Sequence, residues 1–275
     1  MAGMIKMEPV IFQKPRMGVL KKEGFICVDG HCHTNYSDGA RLEKVLRRCR
    51  IKGVGIAVTD HNEIRGAVEA ARQKEVPVIP GIEINTSDGP HFLAYFYSAA
   101  ELKEFYKKNI QSKKFFNARK FTNMADIGLA ELAERLEKYN CVKCLPHPYA
   151  PAWLSISRIK EIKKILKGVD AIEVISGLQL KSANRKAHEM QLRFNKAPTG
   201  GSDAHRAIDI GSCLTAAQAS DTEQFLDAIR KKKTIAVGKC KMSQKAYQGI
   251  KIIRKDARRM RRMLSNKVFS KNDPV

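Results

Sequence analysis

The sequence predicts an α/β protein with a parallel sheet. Short hydrophobic runs alternate with segments whose apolar residues recur at helical spacing, a pattern typical of parallel strands joined by helices. The chain has 275 residues, 43% of them hydrophobic, which is enough to bury one large core. Polar motifs follow most of the hydrophobic runs, and the carboxyl ends of strands meet on one face of an α/β barrel. The pattern therefore favours a barrel with one polar face.

The first half of the chain contains a lead-in arm and four strand-like segments. The arm, residues 1–24, is basic, mixed in character and contains two prolines. A helix ending at Gly53 is predicted by the helical spacing of the apolar residues Leu42, Val45, Leu46 and Cys49. Asp88-Gly89 is a hairpin signal. The strand-like segments are 25–28, 54–58, 76–85 and 91–97.

The second half continues the alternation. Residues 99–140 have a helical pattern, in two pieces separated by a basic middle. A further helix is predicted from about Lys181 to Phe194. We expect a barrel that ends near residue 240 and a separate amphipathic helical tail after it. The strand-like runs are 141–145, 169–175 and 197–202, the barrel is 25–240 and the tail is 241–275.

The first polar motif is His31-x-His33, directly after a strand-like run. On a continuing strand these two imidazoles point to one face and Cys32 to the other, so they form a pair of potential metal ligands. An isolated motif of this kind can arise by chance. Six of the seven histidines, however, lie beside a strand end, and His188 is the exception. The nine candidate ligands are His31, His33, Asp38, His61, Glu83, His91, His147, Asp203 and His205.

This set of ligands points to a particular chemistry. Imidazole and carboxylate without thiolate suit zinc, manganese or iron. Nine candidates are too many for one ion, so we expect two or three divalent ions, with Glu83 or Asp203 as a bridge. Such a cluster activates a bound water and stabilises both oxygens of an in-line displacement at phosphorus. It favours phosphate ester hydrolysis, and amide hydrolysis on a similar barrel is the nearest chemical alternative.

Composition argues against several classes of protein. No apolar run approaches the length of a membrane span, and the N-terminus lacks the apolar core of a signal peptide. We therefore expect a cytoplasmic protein with no membrane partner. Seven cysteines without regular spacing argue against a disulfide framework. Cys141-x-x-Cys144 fits core packing better than a zinc or redox site.

The net charge of +23 and the pI of about 9.8 predict attraction to polyanions, nucleic acid first. A lysine-rich proteome would also produce this excess. Residues 230–275 hold sixteen Lys and Arg against two Asp. An apolar helical stripe in this tail fits packing on the barrel, and its basic face fits contact with a phosphate backbone or, less well, a membrane surface. The stripe is Ala246, Ile250, Ile253, Ala257, Met260 and Leu264.

Five short motifs, in order, resemble those of the PHP (polymerase and histidinol phosphatase) family and span roughly residues 25–215. The resemblance implies a distorted (β/α)7 TIM-like barrel, here with a basic C-terminal extension, and phosphoesterase activity at a trinuclear metal site. The motifs are His31-x-His33 with Ser37-Asp38-Gly39, Thr59-Asp60-His61, Gly81-Ile-Glu83, His147-Pro148 and Gly201-Ser-Asp-Ala-His205.

The resemblance also implies roles for individual residues. Glu83 would bridge two ions, and Asp60 would orient a ligand from behind. Catalysis would rest chiefly on His205, Glu83 and Asp203. The first ion would be held by His31, His33, Glu83 and Asp203, the second by Glu83, His91 and His147, and the third by Asp38, His61 and His205.

We therefore expect a metal-dependent phosphoesterase that uses an activated water. Its substrate would be a nucleotide or other phosphomonoester, or an RNA or DNA end, and a small-metabolite phosphatase of the histidinol-phosphate type is the alternative. A rival from another class is a nucleic-acid-binding module with a structural metal site, and an amidohydrolase is a third hypothesis. The proton for the leaving oxygen would come from a metal-bound water or from His205.

Two arginines are candidates for binding the substrate phosphate. Arg206 follows His205, and Arg158 lies beyond His147; guanidinium pairs with phosphate in a bidentate manner. Most arginines on such loops instead face solvent. The expected partners are a phosphorylated small molecule or nucleotide, and nucleic acid through the basic tail.

Overall fold

The computed structural model describes residues 8–117, 122–151, 154–159 and 162–240. The strands within these ranges are β1 (Val10–Ile11), β2 (Phe25–Cys32), β3 (Gly55–Val58), β4 (Val78–Asn85), β5 (His91–Phe96), β6 (Lys114–Asn117), β7 (Thr122–Ala125), β8 (Cys141–Leu145), β9 (Ala171–Ser176), β10 (Ala197–Gly201), β11 (Cys213–Gln218) and β12 (Ile235–Gly238). The helices are α1 (Met17–Lys22), α2 (Leu42–Lys52), α3 (Arg65–Ala70), α4 (Ala99–Asn109), α5 (Leu129–Leu136), α6 (Ile162–Gly168), α7 (Lys181–Arg193) and α8 (Thr222–Arg230).

Ten of these strands form one sheet, in the order β1-β12-β11-β2-β3-β4-β5-β8-β9-β10. The strands β2, β3 and β4 are parallel, as are β8, β9 and β10. The strand β5 is antiparallel to both of its neighbours, and so is β11. The expected parallel sheet is therefore wrong in part. The mixture arises because β4 and β5 form a hairpin, whose turn includes Gly89 with a φ of 121°.

The sheet bends until its two halves meet beside the polar face. The backbone N–H of Asp203, just after β10, donates to the carbonyl of His31 at 2.8 Å, and the N–H of His33 donates to Ala204 at 3.0 Å. Within β10 itself, the N–H of Gly200 donates to the hydroxyl of Thr215 in β11 at 2.9 Å. These bonds nearly close the barrel, and the predicted distorted α/β barrel is confirmed.

The helices pack on the outside of the sheet through the apolar positions that the sequence indicates. In α2, Leu42, Val45 and Cys49 are buried, and Gly53 ends the helix with a φ of 61°. Left-handed backbone is the ordinary glycine conformation at this position. The predicted helix at Lys181 is α7. Within the described ranges, every helix is too short or too polar to cross a bilayer.

Two segments differ from the expectation, and a third lies outside the described residues. Strand β1 of the expected arm pairs with β12, and Leu20 is buried, so part of the arm lies in the barrel sheet. The basic middle of residues 99–140 forms the antiparallel pair β6–β7 rather than a helix. Adjacent aromatic residues favour a pleated strand there. The tail, residues 241–275, lies outside the described residues.

Candidate metal centre

The His-x-His motif ends strand β2 as the alternation predicts. The rings of His31 and His33 lie on one side with centroids 5.2 Å apart, while Cys32 points into the apolar core on the other side. Both histidines are fully buried. Their backbones are fixed by the bonds that close the barrel, so the two rings are held firmly at the centre of the polar face.

The structure brings all nine candidate ligands together. Their ligand atoms form four overlapping groups, and within each group the atoms lie within 4.8 Å of one another. All six histidine rings also contact another ring of the set at centroid distances of 4.3 to 5.5 Å. The groups are His33, Asp38, His61 and His205; His31, His33 and Glu83; His31, His147 and Asp203; and His61, Glu83 and His91.

Glu83, at the centre of the cluster, is a fully buried carboxylate from strand β4. Its Oε1 lies 2.9 Å from Nδ1 of His91 and 3.0 Å from Nε2 of His147. Its Oε2 lies 2.8 Å from Nδ1 of His61 and 3.3 Å from Nε2 of His31. His33 Nε2 lies 3.5 Å from the same Oε2, so five imidazoles surround one carboxylate, two at one oxygen and three at the other.

The second acidic contribution comes from Asp203 and Asp38. Asp203 Oδ1 lies 3.2 Å from Nε2 of His33, and its backbone has a φ of 51°. His147 also has a positive φ of 27°, a conformation that residues other than glycine rarely adopt and that clusters at functional sites. Asp38 lies 3.3 Å from His205 and has a side chain that is 42% exposed. Asp38 therefore marks the open side of an otherwise buried cluster.

The buried carboxylates are held in their charged form by their neighbours. Burial alone would raise the pKa of Glu83, but His31, His91 and His61 lower it to well below its usual range. Burial would also raise the pKa of Asp203, and here His31 is the strongest of the groups that lower it. Both carboxylates therefore stay ionised over the physiological pH range.

The imidazoles respond unequally to the same environment. Burial lowers the pKa of His61, but Glu83 and Asp38 raise it to about 9. Burial, together with His61 and His205, lowers the pKa of His33 to about 3. Positive charge in the metal-free cluster therefore favours His31, His61 and His147, whose pKa values are raised, whereas His33 stays neutral.

The cluster fits the divalent ions that its residue types imply. His31 Nδ1 lies 3.1 Å from Glu173, which can only accept, so Nδ1 carries the hydrogen. The lone pair of Nε2 then faces Glu83 Oε2 at 3.3 Å, and Nε2 forms no hydrogen bond with the described residues. Two buried acceptors this close require a proton or a metal ion between them. Burial lowers the pKa of His31, but Glu83 and Asp203 raise it to well above its ordinary value, so a proton fills this place in the metal-free protein and a metal ion would replace it. Nδ1 of His33 and of His147 likewise bonds to none of the described residues.

Two acidic residues that sequence reasoning missed support the cluster from behind. Glu173, in strand β9, accepts from the ring of His31 and from the backbone N–H of His147 at 3.0 Å. Asp29, in β2, accepts from the N–H groups of Ser202 and Gly211, both at 2.7 Å, and so fixes the loop that carries Asp203. An acidic residue inside a hydrophobic strand is the sequence signal that could have identified both.

Asp60 acts on a loop rather than on a ring. Its carboxylate accepts from the backbone and hydroxyl of Thr34 at 2.7 and 2.6 Å, and from the hydroxyl of Ser37 at 2.5 Å. These three bonds hold the turn that precedes Asp38. Asp60 thus lies behind the cluster and contacts the loop that carries Asp38, and its role in orienting a ligand stays a prediction.

Of the two arginines expected to contact substrate, the structure describes the side chain of Arg206 but not that of Arg158. The guanidinium of Arg206 forms a bidentate pair with the buried Asp209, at 2.7 and 3.1 Å. That pair directs the cation towards the protein, so substrate contact by Arg206 stays a prediction. Arg158 ends a short 3-10 turn, and its side chain lies outside the described part of the structure.

Comparison with protein families decides the classification. The model of the PHP domain matches residues 29–199, well over half of the chain, and the model of a PHP-associated region matches residues 181–234. The chain belongs to the PHP family. The first match contains seven of the nine candidate ligands, and the second contains Asp203 and His205. The expected PHP-family phosphoesterase is thus confirmed as a class.

Individual proteins are also similar to this chain. An uncharacterised protein of Methanocaldococcus jannaschii is 29% identical over 139 residues, which cover 45% of this PHP chain and 68% of that protein. Similar solved structures include PsfC from Pseudomonas syringae, with a TM-score of 0.61, 17% identity and coverage of 85% of this chain and 99% of that one.

Two further structures share the fold at similarly low identity. One is a two-domain protein from Bacteroides vulgatus containing a predicted PHP-like metal-dependent phosphoesterase, with a TM-score of 0.57, 18% identity and coverage of 78% and 65%. The other is the lesion-specific endonuclease PfuEndoQ from Pyrococcus furiosus, with a TM-score of 0.60, 17% identity and coverage of 77% and 57%. At these identities the likeness supports the PHP fold alone.

Proposed function

We propose that this PHP-family protein hydrolyses phosphate esters of nucleotides or nucleic-acid ends at a centre of three divalent ions. The observation that carries the proposal is the convergence of nine imidazole and carboxylate ligands into four overlapping groups. We assign the first ion to His31, His33, Glu83 and Asp203, the second to Glu83, His91 and His147, and the third to Asp38, His61 and His205.

The geometry supports this division most directly at the bridge and at the third ion. Glu83 approaches His91 and His147 through Oε1 and His31 through Oε2, as expected of a carboxylate shared by two ions. The three residues of the third ion fall in one group, together with His33. In the remaining groups His147 lies with His31 and Asp203 rather than with His91, so a metal at the second position requires a small shift of its ring.

Divalent ions in such a centre lower the pKa of a bound water and neutralise the charge that develops on the phosphoryl oxygens. The protein residues orient this chemistry and limit access to it. Buried His31, His33 and Glu83 form the closed side of the cluster, while Asp38 and His61 are 42% and 21% exposed. Substrate therefore reaches the centre from the side of Asp38 and His61.

His205 occupies a distinct position at this open side. Its Nδ1 donates to the backbone carbonyl of Asp203 at 3.1 Å, which directs Nε2 towards Asp38 at 3.3 Å. At this place the ring either holds the third ion or holds the proton that the leaving oxygen receives. Both roles make His205 a catalytic residue of the proposed reaction.

The proposed substrate class is supported by the net charge of the chain and by the occurrence of the same fold in a nuclease. The chain carries a net charge of +23, which attracts phosphorylated and polynucleotide ligands. PfuEndoQ, a lesion-specific endonuclease, uses the same fold, so a PHP barrel is compatible with a nucleic-acid substrate. A small-metabolite phosphatase is the alternative outcome.

The test is phosphate release by full-length protein with manganese, using nucleoside monophosphates and bisphosphates, histidinol phosphate and a short 5′-labelled RNA. Preference for nucleotides or for the RNA, with salt-sensitive cleavage of the RNA, is the expected result. Preference for histidinol phosphate would identify a metabolite phosphatase. No release from any ester, in protein shown to bind metal, would contradict the proposal and favour amide hydrolysis.

A further inference from the structure

Beside the metal centre, the hairpin β6–β7 carries two adjacent aromatic side chains on its surface. Phe115 is 39% exposed and Phe116 is 56% exposed, whereas the other phenylalanines in the described residues are buried or half-buried. We call residues 111–117 and 122–125 the aromatic arm. Consecutive strand residues point to opposite faces, so Phe116 lies on the face of its partner Asn123, and an aromatic side chain this exposed indicates a contact point for a ligand or partner.

The aromatic arm lies in the most basic part of the barrel sequence. Between Glu104 and Asp126 the chain contains six Lys and Arg residues and no acidic residue. Lys113 immediately precedes the hairpin, and Lys114 is its first residue, held above the ring of Tyr106 by a 2.7 Å bond to the phenol oxygen. Aromatic side chains interspersed with lysine suit a ligand that offers both flat rings and phosphates.

Hydrogen bonds attach the aromatic arm to the proposed metal centre. The backbone carbonyl of Asn123, in β7, accepts from the side chains of Asn62 and Asn85, each at 3.1 Å. The other end of the Asn85 amide lies 2.9 Å from Nδ1 of His61. Phe116 is paired with Asn123 across the hairpin. The hairpin is thus attached next to the open side of the cluster, and Phe116 lies opposite the attached residue.

We propose that the aromatic arm binds the single-stranded nucleic acid that flanks the phosphate in the centre. A base stacks on Phe116, the more exposed of the two phenylalanines, and the lysines contact the backbone phosphates. Every base has a flat face, so this contact tolerates many sequences and prefers unpaired strands. The inference rests on the proposed phosphoesterase function and extends it, because it assigns the substrate to polynucleotides rather than to free nucleotides or metabolites.

Binding is measured by fluorescence anisotropy of a labelled single-stranded oligonucleotide on full-length protein in EDTA, so that cleavage cannot interfere. Phe116→Ala and Phe116→Leu are expected to weaken binding by about 5- to 100-fold, the range for loss of one stacked base. Phe116→Trp keeps a stacking surface and is expected to bind within about threefold of the wild type. Leu192→Ala removes an exposed apolar side chain near the end of α7 and is the matched control, with no change expected.

The charge contribution is measured in the same assay. Lys113→Ala is expected to weaken binding and to reduce its salt dependence, whereas Lys233→Ala, in the turn before β12, serves as the control. An equal loss of affinity in Phe116→Trp and Phe116→Ala would contradict base stacking on this residue. Equal affinity for duplex and single-stranded oligonucleotides would contradict it as well. Wild-type affinity in Phe116→Ala would overturn the proposal outright.

Failure of the proposed function is distinguishable from failure of this inference. The binding assay needs no turnover, so an inactive protein whose affinity depends on Phe116 still supports the aromatic arm. In an active protein, the ratio of catalytic efficiency on the oligonucleotide to that on p-nitrophenyl phosphate is expected to fall at least fivefold in Phe116→Ala. An unchanged ratio would exclude the arm from substrate binding while leaving the phosphoesterase activity intact.

Discussion

His31 Nδ1 lies 3.1 Å from Glu173 Oε1, and both side chains are almost completely buried. The carboxylate can only accept, so it fixes the tautomer of the ring and aims Nε2 at the centre of the cluster. The other oxygen of Glu173 accepts from the backbone N–H of His147. One carboxylate therefore positions two candidate ligands that come from different strands.

Glu173→Ala is expected to lower metal affinity by about 10- to 100-fold, the usual effect of losing an outer partner of a ligating histidine. Glu173→Gln is expected to lose less, because its amide oxygen can still accept from His31. Competition with a chromophoric chelator measures the affinity, and circular dichroism reports the fold. Exposed Glu189→Gln on α7 is the control. Wild-type affinity in folded Glu173→Ala would show that the contact has no positioning role.

Gly201 allows His31 and Glu173 to meet. A methyl group at this position would lie 2.4 Å from Cβ of His31 and 2.7 Å from Oε1 of Glu173. Gly201→Ala is therefore expected to lower the free energy of unfolding by about 1–3 kcal/mol, the usual cost of overpacking, and to weaken metal binding as well. Urea denaturation and metal titration measure the two effects.

The matched control for this substitution is Gly18→Ala in helix α1. Nothing lies within 4 Å of a methyl group added there. Because alanine restricts the unfolded chain and suits a helix, this change is expected to raise the free energy of unfolding by about 0.4–1 kcal/mol. If both variants shift stability in the same direction, the close approach at Gly201 is not the cause.

The strand-end motifs could be predicted from the sequence because each is local. His31 and His33 share a face through alternation alone, and Glu83 follows a recognisable hydrophobic run. Glu173 stands out locally only as an acid inside a hydrophobic strand, and its role could not be identified in this way because its partner His31 is 142 residues away. The contact exists only once the sheet has curved far enough to bring β9 near β2.

The relative direction of the strands and the position of the aromatic arm could not be predicted from local sequence patterns either. The closing bonds between His31 and Asp203 join distant parts of the chain, so periodicity cannot show how the sheet curves. Residues 99–140 contain helices α4 and α5, one on each side of the hairpin, so the helical pattern of the flanking residues predicts helix for the middle as well. The β-propensity of Phe115 and Phe116 favours strand pairing and is the local signal for a hairpin in the middle of this segment.

The cysteines provide a test of the core that is independent of the metal. Burial raises the pKa of Cys27 to about 11 and that of Cys49 to about 12, and it raises those of Cys32 and Cys213 as well. Groups with such pKa values stay protonated at pH 8 and at pH 9.5, and a protonated thiol is a poor nucleophile. Partly exposed Cys240 is therefore expected to be the fast-reacting thiol of the native protein.

Titration with a chromogenic disulfide at both pH values measures this pattern. One thiol is expected to react rapidly and six more after denaturation, and Cys240→Ser is expected to abolish the fast phase. Rapid reaction of two or more thiols in the native state would show that the barrel core opens more readily than the packing of Cys27 and Cys49 indicates.

Metal binding to the cluster is expected to stabilise the fold, because the ions bind the native arrangement of ligands and not the unfolded chain. At manganese or zinc concentrations of about 100 times the dissociation constant, the gain is about 2.7 kcal/mol, which corresponds to a rise in Tm of roughly 5–10 °C. Differential scanning fluorimetry measures the shift, and EDTA should reverse it. Asp203→Asn preserves the volume of the side chain but removes its charge, so the shift should shrink or disappear.

The same shift is expected to depend on pH with a definite sign. Glu83 raises the pKa of His61 to about 9 in the metal-free protein, so this imidazole carries a proton at neutral pH that a metal ion must displace. Lowering the pH strengthens the competing proton, and the rise in Tm should therefore fall between pH 8 and pH 6. Calorimetry in buffers of different ionisation enthalpy should detect protons released on binding. A shift that is constant across this range, with no proton release, would place the bound metal outside the histidine cluster.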